Sequence, residues 1–289
     1  MVNTCTKFML IGSHFSFSRK SPKTLLNTIT ATGATACAIF LKSPRSSGFV
    51  APFDAKTIAF FVENIAPVCR VFAHASYTYN IAASGNRDNN LAALLHECEL
   101  ANQLGVPIVI HPGFIESGVV ADGIANVVAA INYVHARLPQ VMVLVEFCGD
   151  APITKKGCAY IGVNIGQIKK ILTKVYVCAR VGVCLDTCHM YVAGIDLNDA
   201  GRVDAFMAEF DAEIGAANLR LIHLNNTEEL LGSCKDHHSP LACGNISGDG
   251  FKHFLRHPLI RGVPIVTETH LDGNAAIKNE LKYVELLLQ

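Results

Sequence analysis

Short apolar runs alternate with amphipathic stretches along almost the whole chain. The runs are rich in Val, Ile, Leu and Phe, as strands buried on both faces of a parallel sheet are. The stretches between them carry apolar residues at every third or fourth position, which is the spacing of a helix packed on a sheet. The pattern predicts eight strands, at residues 8–12, 36–40, 70–74, 106–111, 142–146, 181–186, 219–224 and 264–268.

Several helix boundaries are marked by residues with known capping behaviour. Ser21 and Pro22 suit the start of the first helix, and Gly33 suits its end. A second helical pattern begins near Asp54 and runs to about residue 66, and Gly105 ends the third. Helices therefore follow strands in regular alternation.

This alternation predicts an α/β protein of the (β/α)8 TIM barrel class. Each right-handed β-α-β crossover places its strand beside the previous one, and eight such units close into a barrel. We expect a single domain over residues 1–289. A doubly wound open sheet is the alternative, but no Gly-rich phosphate loop follows the first predicted strand.

Composition restricts the function only weakly. The 24 basic and 24 acidic residues cancel, so overall charge does not indicate a polyanionic partner. Polar residues interrupt every apolar segment before it reaches about 18 residues, which predicts no transmembrane helix. The first residues lack a signal-peptide cleavage pattern, and eleven cysteines are scattered along the chain. We therefore expect an intracellular protein with reduced thiols that is not secreted and does not bind membranes.

Residues that can bind metal stand at the carboxyl ends of six predicted strands. In a barrel these ends meet at one face, where enzymes of this class place their active sites. Loops after the sixth and seventh strands add one histidine and an Asp-x-His motif. The nine candidate ligands are His74, His111, Glu146, Asp186, His189, His223, Asp236, His238 and Glu268.

Nitrogen and carboxylate ligands without a thiolate suit zinc, with manganese as an alternative ion. A single histidine at a strand end is more often a hydrogen-bonded core residue, and a glutamate there can pair with Lys or Arg; nine together favour metal. Five neutral imidazoles and four carboxylates carry a charge of −4, which three divalent ions would change to +2. Such a site would attract a phosphate diester.

Five motifs resemble those of the endonuclease IV family of apurinic/apyrimidinic endonucleases. They are GVCLDTCHMYVAGIDL, HLNNTEELLGSCKDHHSPLACGNI, IGSHFS, HASYTYN and HPG. The resemblance covers nearly the whole chain. It implies a zinc-dependent DNA repair enzyme, which we expect to be a monomer. Such an enzyme cuts double-stranded DNA on the 5′ side of an abasic site and removes 3′ blocking groups.

The resemblance also implies roles for individual residues. Glu146 and Glu268 are the expected catalytic residues, and Arg45, Tyr77 and Thr78 the expected DNA contacts. It implies three zinc ions with these ligands: His74, His111 and Glu146 for the first; Glu146, Asp186, His223 and Glu268 for the second; His189, Asp236 and His238 for the third.

Some positions depart from the family pattern, and other interpretations remain open. Thr78 stands where a larger apolar residue is usual, Ala75 replaces an acidic residue, Asn226 replaces an aspartate, and His237 occupies a usually basic position. Tyr77 could instead pack on the barrel rim. A sugar isomerase or epimerase on the same barrel and a non-catalytic binder of damaged DNA are the alternative functions.

Overall fold

The computed structural model describes residues 9–116, 119–150 and 157–289, and its centre is a closed barrel of eight parallel strands. Phe8, the first residue of the first predicted strand, lies outside the described residues. The barrel strands are β1 (Ile11–Phe15), β2 (Ala36–Phe40), β3 (Arg70–His74), β4 (Ile108–Ile110), β5 (Val143–Glu146), β6 (Val181–Asp186), β7 (Leu219–His223) and β8 (Ile265–Thr267).

Each barrel strand pairs in parallel with its neighbours in chain order, and β1 closes the ring against β8. Ile11 lies beside Ile265 in this last pairing, across most of the chain length. The TIM barrel prediction is therefore confirmed, and the open-sheet alternative is wrong.

Helices follow the strands as the apolar spacing predicts. Gly33 and Gly105 end the first and third helices in left-handed conformations, with φ of 76° and 67°. Asp54 caps the second helix by accepting a hydrogen bond from the Thr57 backbone N–H. The helices are α1 (Lys23–Thr32), α2 (Ala55–Phe60, continued by a π-helical turn at Phe61–Ile65), α3 (Arg87–Leu104), α4 (Val120–Arg137), α5 (Ile165–Lys174), α6 (Thr187–Val192), α7 (Ala200–Glu213), α8 (Gly248–Arg256) and α9 (Gly273–Leu288).

The first strand lies about three residues later than predicted. It includes Ser13, whose buried hydroxyl forms a 3.0 Å hydrogen bond with that of Thr267 on β8. Because these two groups satisfy each other inside the barrel, a polar residue does not end the strand there. A further difference is an antiparallel pair of two-residue strands, Phe114–Ile115 and Ala159–Tyr160, that lies outside the barrel.

The barrel interior is a packed core rather than a channel. Phe72, Leu144 and Leu221 are the largest members of a buried cluster that small residues and valines complete. The larger apolar core lies between the strands and the helices around them. Interior packing leaves the carboxyl ends of the strands as the place for a polar site.

Two further expectations concern membranes and thiols. None of the helices in the part of the chain that the structure describes is both long and apolar enough to cross a membrane. Nine cysteines of the described ranges are free thiols: Cys37, Cys69, Cys98, Cys148, Cys178, Cys184, Cys188, Cys234 and Cys243.

Candidate metal centre

All nine candidate ligands lie together at the carboxyl end of the barrel. Six of them end a barrel strand or directly follow one, because the last residues of β3, β5, β6 and β7 and the first residues after β4 and β8 lie at the same end of the barrel. Glu146, Asp186 and His223 have no exposed surface. Their assignment as ligands stays a prediction, and the distances between their donor atoms bear on it directly.

Glu146 directs its two carboxylate oxygens toward different histidines. Oε2 lies 3.4 Å from His74 Nε2 and 3.2 Å from His111 Nε2. Oε1 lies 3.1 Å from His223 Nδ1, and that same nitrogen lies 3.2 Å from Glu268 Oε2. Glu146 can therefore bridge two neighbouring cation positions.

Asp236 has a similar arrangement on the other side of the site. Its Oδ2 lies 3.1 Å from His189 Nε2, and its Oδ1 lies 3.0 Å from His238 Nε2. Asp186 Oδ2 lies 3.7 Å from the same His238 nitrogen, so Asp186 stands between this group and the one around Glu268. The site thus contains several overlapping groups of donor atoms, among them His74 with His111 and Glu146, His74 with His223 and Glu268, and His189 with Asp236 and His238.

Backbone carbonyls fix the tautomer of two of these rings. His74 Nδ1 lies 2.8 Å from the Ala75 carbonyl oxygen, and His189 Nδ1 lies 2.8 Å from that of Phe147. A carbonyl only accepts hydrogen bonds, so each Nδ1 carries the proton. The lone pair is therefore on Nε2 and faces the cluster, as metal binding requires.

The site has the unsatisfied atoms that a cation would satisfy. Nε2 of His74, Nε2 of His189 and Oε2 of Glu146 are buried and have no hydrogen-bond partner among the described residues. Lone pairs face one another here, which is costly in a protein interior. Nitrogen and carboxylate donors at such spacing suit zinc or a similar divalent ion.

The two most buried carboxylates respond differently to their surroundings. Burial raises the pKa of Glu146, but His223 and His111 outweigh it, so that pKa lies well below its ordinary value. Burial raises the pKa of Asp186 above its ordinary value, although His189 and His238 oppose it. A cation beside Asp186 would favour the charged carboxylate there.

Asn225 is a site residue that sequence reasoning did not select. Its buried side chain donates to Asp186 Oδ2 at 2.5 Å and to Glu268 Oε2 at 3.3 Å, and its Oδ1 accepts from the Glu268 backbone N–H at 2.8 Å. Its position in the sequence, two residues beyond the end of β7, is the feature from which its place in the site could have been predicted. His14, which is not among the candidate ligands, has its Nδ1 3.4 Å from Glu268 Oε1.

Two cysteines also lie near the centre. The Cys184 sulfur lies within 4.8 Å of donor atoms of Glu146 and His223, and the Cys188 sulfur lies within 4.8 Å of donor atoms of Asp186 and His238. Burial raises the pKa of the Cys184 thiol to about 12 and also raises that of Cys188. Neutral thiols are poor ligands, so the nitrogen and oxygen donors remain the better set.

A cavity of about 640 Å³ opens beside the ligand cluster. Glu268, His238, Arg45 and Tyr77 are among the residues that line it. Tyr77 is 59% exposed, with its ring centre 5.4 Å from that of His74. Two of the predicted DNA contacts therefore face the cavity of the metal ligands.

Thr78, the third predicted DNA contact, is more enclosed. Its side chain is half-buried, and its Oγ1 lies 3.1 Å from Ser76 Oγ. Tyr77 is therefore the large exposed side chain of this loop.

Comparison with known proteins gives a separate line of support. A family model described as xylose isomerase-like TIM barrel matches residues 26–287. The probable endonuclease 4 of Methanoculleus marisnigri is 32% identical over 291 residues, which cover 94% of this chain and 99% of that protein. The chain belongs to the endonuclease IV family of xylose isomerase-like TIM barrels.

Solved structures agree with this membership. Endonuclease IV from Thermus thermophilus superimposes with a TM-score of 0.81 at 28% identity, covering 96% of this chain and 98% of that one. A D-tagatose 3-epimerase-like protein gives a TM-score of 0.69 at 18% identity, with 96% and 98% covered. The second likeness shows only that the fold is shared.

Asn226, which departs from the endonuclease IV pattern, makes hydrogen bonds that require its side-chain amide. The buried amide of Asn226 donates to the carbonyls of Leu241 and Ile246 at 2.9 and 2.8 Å, and its Oδ1 accepts from the Ile246 N–H at 2.9 Å. A carboxylate could not make the two donations. Asparagine therefore holds together the ends of the loop that carries Asp236 and His238.

Proposed function

We propose that this protein is a zinc-dependent endonuclease that hydrolyses the DNA phosphodiester on the 5′ side of an abasic site and also removes 3′ blocking groups. The observation that carries the proposal is the set of overlapping donor groups, in which one oxygen of Glu146 lies near His111 and the other near His223. The names of the relatives, endonuclease 4 and apurinic-apyrimidinic endonuclease, support it.

The ligands divide among three ions as the family resemblance implies. His74, His111 and Glu146 would hold the first ion, and Glu146 would share the second with Asp186, His223 and Glu268. His189, Asp236 and His238 would hold the third. When bound, ions this close together activate water and stabilise both the attacking and the leaving oxygen of a phosphoryl displacement.

Glu268 is the ligand best placed to accept a proton from the attacking water. It lines the cavity, and the Asn225 side chain fixes both its backbone N–H and its carboxylate. Burial raises the pKa of Glu268, but His223 and His14 outweigh it and keep the pKa below the ordinary value. The carboxylate is therefore charged near neutral pH and can accept a hydrogen bond from the attacking water, and because its lowered pKa makes it a weak base, orienting that water would be the larger part of its role.

Tyr77 and Arg45 would contact the DNA at the lesion. An abasic site lacks one base from the stack, which leaves room for an aromatic ring, while the sugar turns out toward the metals. Arg45 is exposed, lines the same cavity and can contact a phosphate. The substrate is duplex DNA, and each monomer carries a full set of ligands.

The test is cleavage of a duplex with one tetrahydrofuran abasic analogue, with metal content measured on the same sample. Wild type should incise 5′ to the analogue with about three zinc ions bound. Glu268→Gln should lower kcat by on the order of a thousandfold without unfolding the protein, whereas the exposed Glu285→Gln control should leave it unchanged. Normal cleavage by Glu268→Gln would contradict the role of this base.

Additional substrates separate the remaining possibilities. A duplex with a 3′-phosphate tests removal of 3′ blocking groups. Turnover of free sugars with two bound ions and no DNA cleavage would instead indicate the isomerase alternative. Binding of the abasic duplex without incision would indicate a non-catalytic DNA binder.

A further inference from the structure

A buried ion pair lies beneath the two loops that carry Arg45 and Tyr77. Lys42, in the loop after β2, places Nζ 3.4 Å from Oε1 of Glu97 on α3. Each side chain is only 1% exposed. These two residues are outside the predicted ligand and DNA-contact sets.

Lys42 holds the loop after β2 in a fixed shape. Its ammonium group also donates a 2.6 Å hydrogen bond to the Ser46 carbonyl oxygen, four residues further along. This bond joins Lys42 and Ser46, which stand before and after Arg45 in the loop. The backbone from which Arg45 extends is therefore tied to a buried charge.

Glu97 does the same for the loop after β3. Its Oε2 accepts a 2.8 Å hydrogen bond from the Ser76 backbone N–H, and its Oε1 accepts one from the Ser76 hydroxyl at 2.5 Å. Ser76 directly precedes Tyr77. The Tyr77 N–H in turn donates to the Pro44 carbonyl at 3.2 Å, so the two loops are also joined to each other.

Stability alone does not account for such a pair. The desolvation of two buried charges commonly cancels their attraction, and an apolar pair of similar size is often as stable. Charged groups with several hydrogen bonds do, however, fix the geometry of the backbone they contact. The specific effect here is on the separation and orientation of the two loops.

We propose that the Lys42–Glu97 pair positions Arg45 and Tyr77 relative to each other and thereby determines how tightly the enzyme holds abasic DNA. This inference rests on the proposed endonuclease function. Both are positioning residues: Lys42 lies at the base of the cavity that Arg45 and Tyr77 line, but its side chain and that of Glu97 are each only 1% exposed, which leaves no surface for DNA to contact.

The test compares a large and a small substrate of the zinc-loaded enzyme. Glu97→Gln keeps the side-chain shape but removes its charge, and exposed Glu99→Gln on the same helix is the matched control. For the abasic duplex, Glu97→Gln should raise KM on the order of tenfold and leave kcat within about twofold. Hydrolysis of bis(p-nitrophenyl) phosphate, which needs the metals but not the DNA loops, should not change.

A double variant covers the case in which Glu97→Gln leaves Lys42 buried without a partner and the protein unfolds. Lys42→Met combined with Glu97→Leu replaces the pair by apolar groups that can pack, and it should show the same rise in KM. An unchanged KM in the folded double variant would overturn the inference, as would an equal loss on both substrates. Wild type that fails to cut abasic DNA overturns the proposed function itself, which is a different result.

Discussion

Replacing Asn225 by alanine tests whether the carboxylates of the centre must be held in place. The change removes the amide that donates to Asp186 and to Glu268 and the oxygen that accepts from the Glu268 N–H. Both carboxylates then lose a buried donor at the oxygen that also faces a histidine of the cluster. We expect weaker binding of the second ion, because its ligands must be ordered again when it binds.

The size of the effect follows from the bonds that are lost. A hydrogen bond to a charged group contributes about 1.5 to 3 kcal/mol, and the 2.5 Å contact with Asp186 is the shortest of the three. One such loss lowers metal affinity by about 10- to 100-fold, since 1.4 kcal/mol corresponds to a factor of ten. Loss of a partner of metal ligands generally has an effect of this size.

The assay is zinc content after equilibration in buffers of fixed free zinc concentration. Asn225→Ala should require about 10 to 100 times more free zinc than wild type to fill its weakest position, and cleavage of the abasic duplex should recover at that concentration. Asn132→Ala is the control, because Asn132 only accepts from the Tyr176 N–H, remote from the centre. Identical zinc titrations for Asn225→Ala and wild type would refute this reasoning.

Three further outcomes are expected. A strong chelator should abolish cleavage, and added zinc should restore it; activity that survives complete metal removal would contradict the proposed mechanism. Burial together with Arg180 lowers the pKa of His135 to about 4, so the unfolded chain binds a proton first and stability falls as the pH drops from about 6.5 toward 4. In urea unfolding, the free energy of unfolding of His135→Gln should change by about 1 to 2 kcal/mol less between pH 7.5 and 5 than that of wild type. Equal changes in the two proteins would contradict this assignment. Asn226→Asp should lower the free energy of unfolding by about 3 kcal/mol, since it sets a carboxylate against two carbonyls; an unchanged urea midpoint would be the contrary result.

Strand positions could be predicted where the chain itself carried the signal. β2 and β3 lie at the predicted residues, because each is an apolar run with a clear polar or loop boundary. β1 was placed too early, since Ser13 looks like the end of a strand until its partner on β8 is known. The antiparallel pair at residues 114–115 and 159–160 depends on contacts that no local pattern reveals.

The candidate ligands could be predicted for a related reason. A barrel brings all carboxyl strand ends to one face, so chemistry at those ends needs no further geometric information. The roles of Lys42 and Glu97 could not be predicted in this way, because they depend on an ion pair between residues 55 positions apart in the sequence. Asn225 likewise becomes informative only when Asp186 and Glu268 are seen on either side of it.

Closure of β1 against β8 affects when the protein becomes chemically competent. Glu268 follows the last barrel strand, while His74 is made almost two hundred residues earlier. During synthesis, a nascent polypeptide whose eighth strand is still in the ribosome can neither close the barrel nor supply the carboxylate of Glu268. If the proposed function is right, we expect no DNA cleavage by a nascent chain before its last strand has emerged.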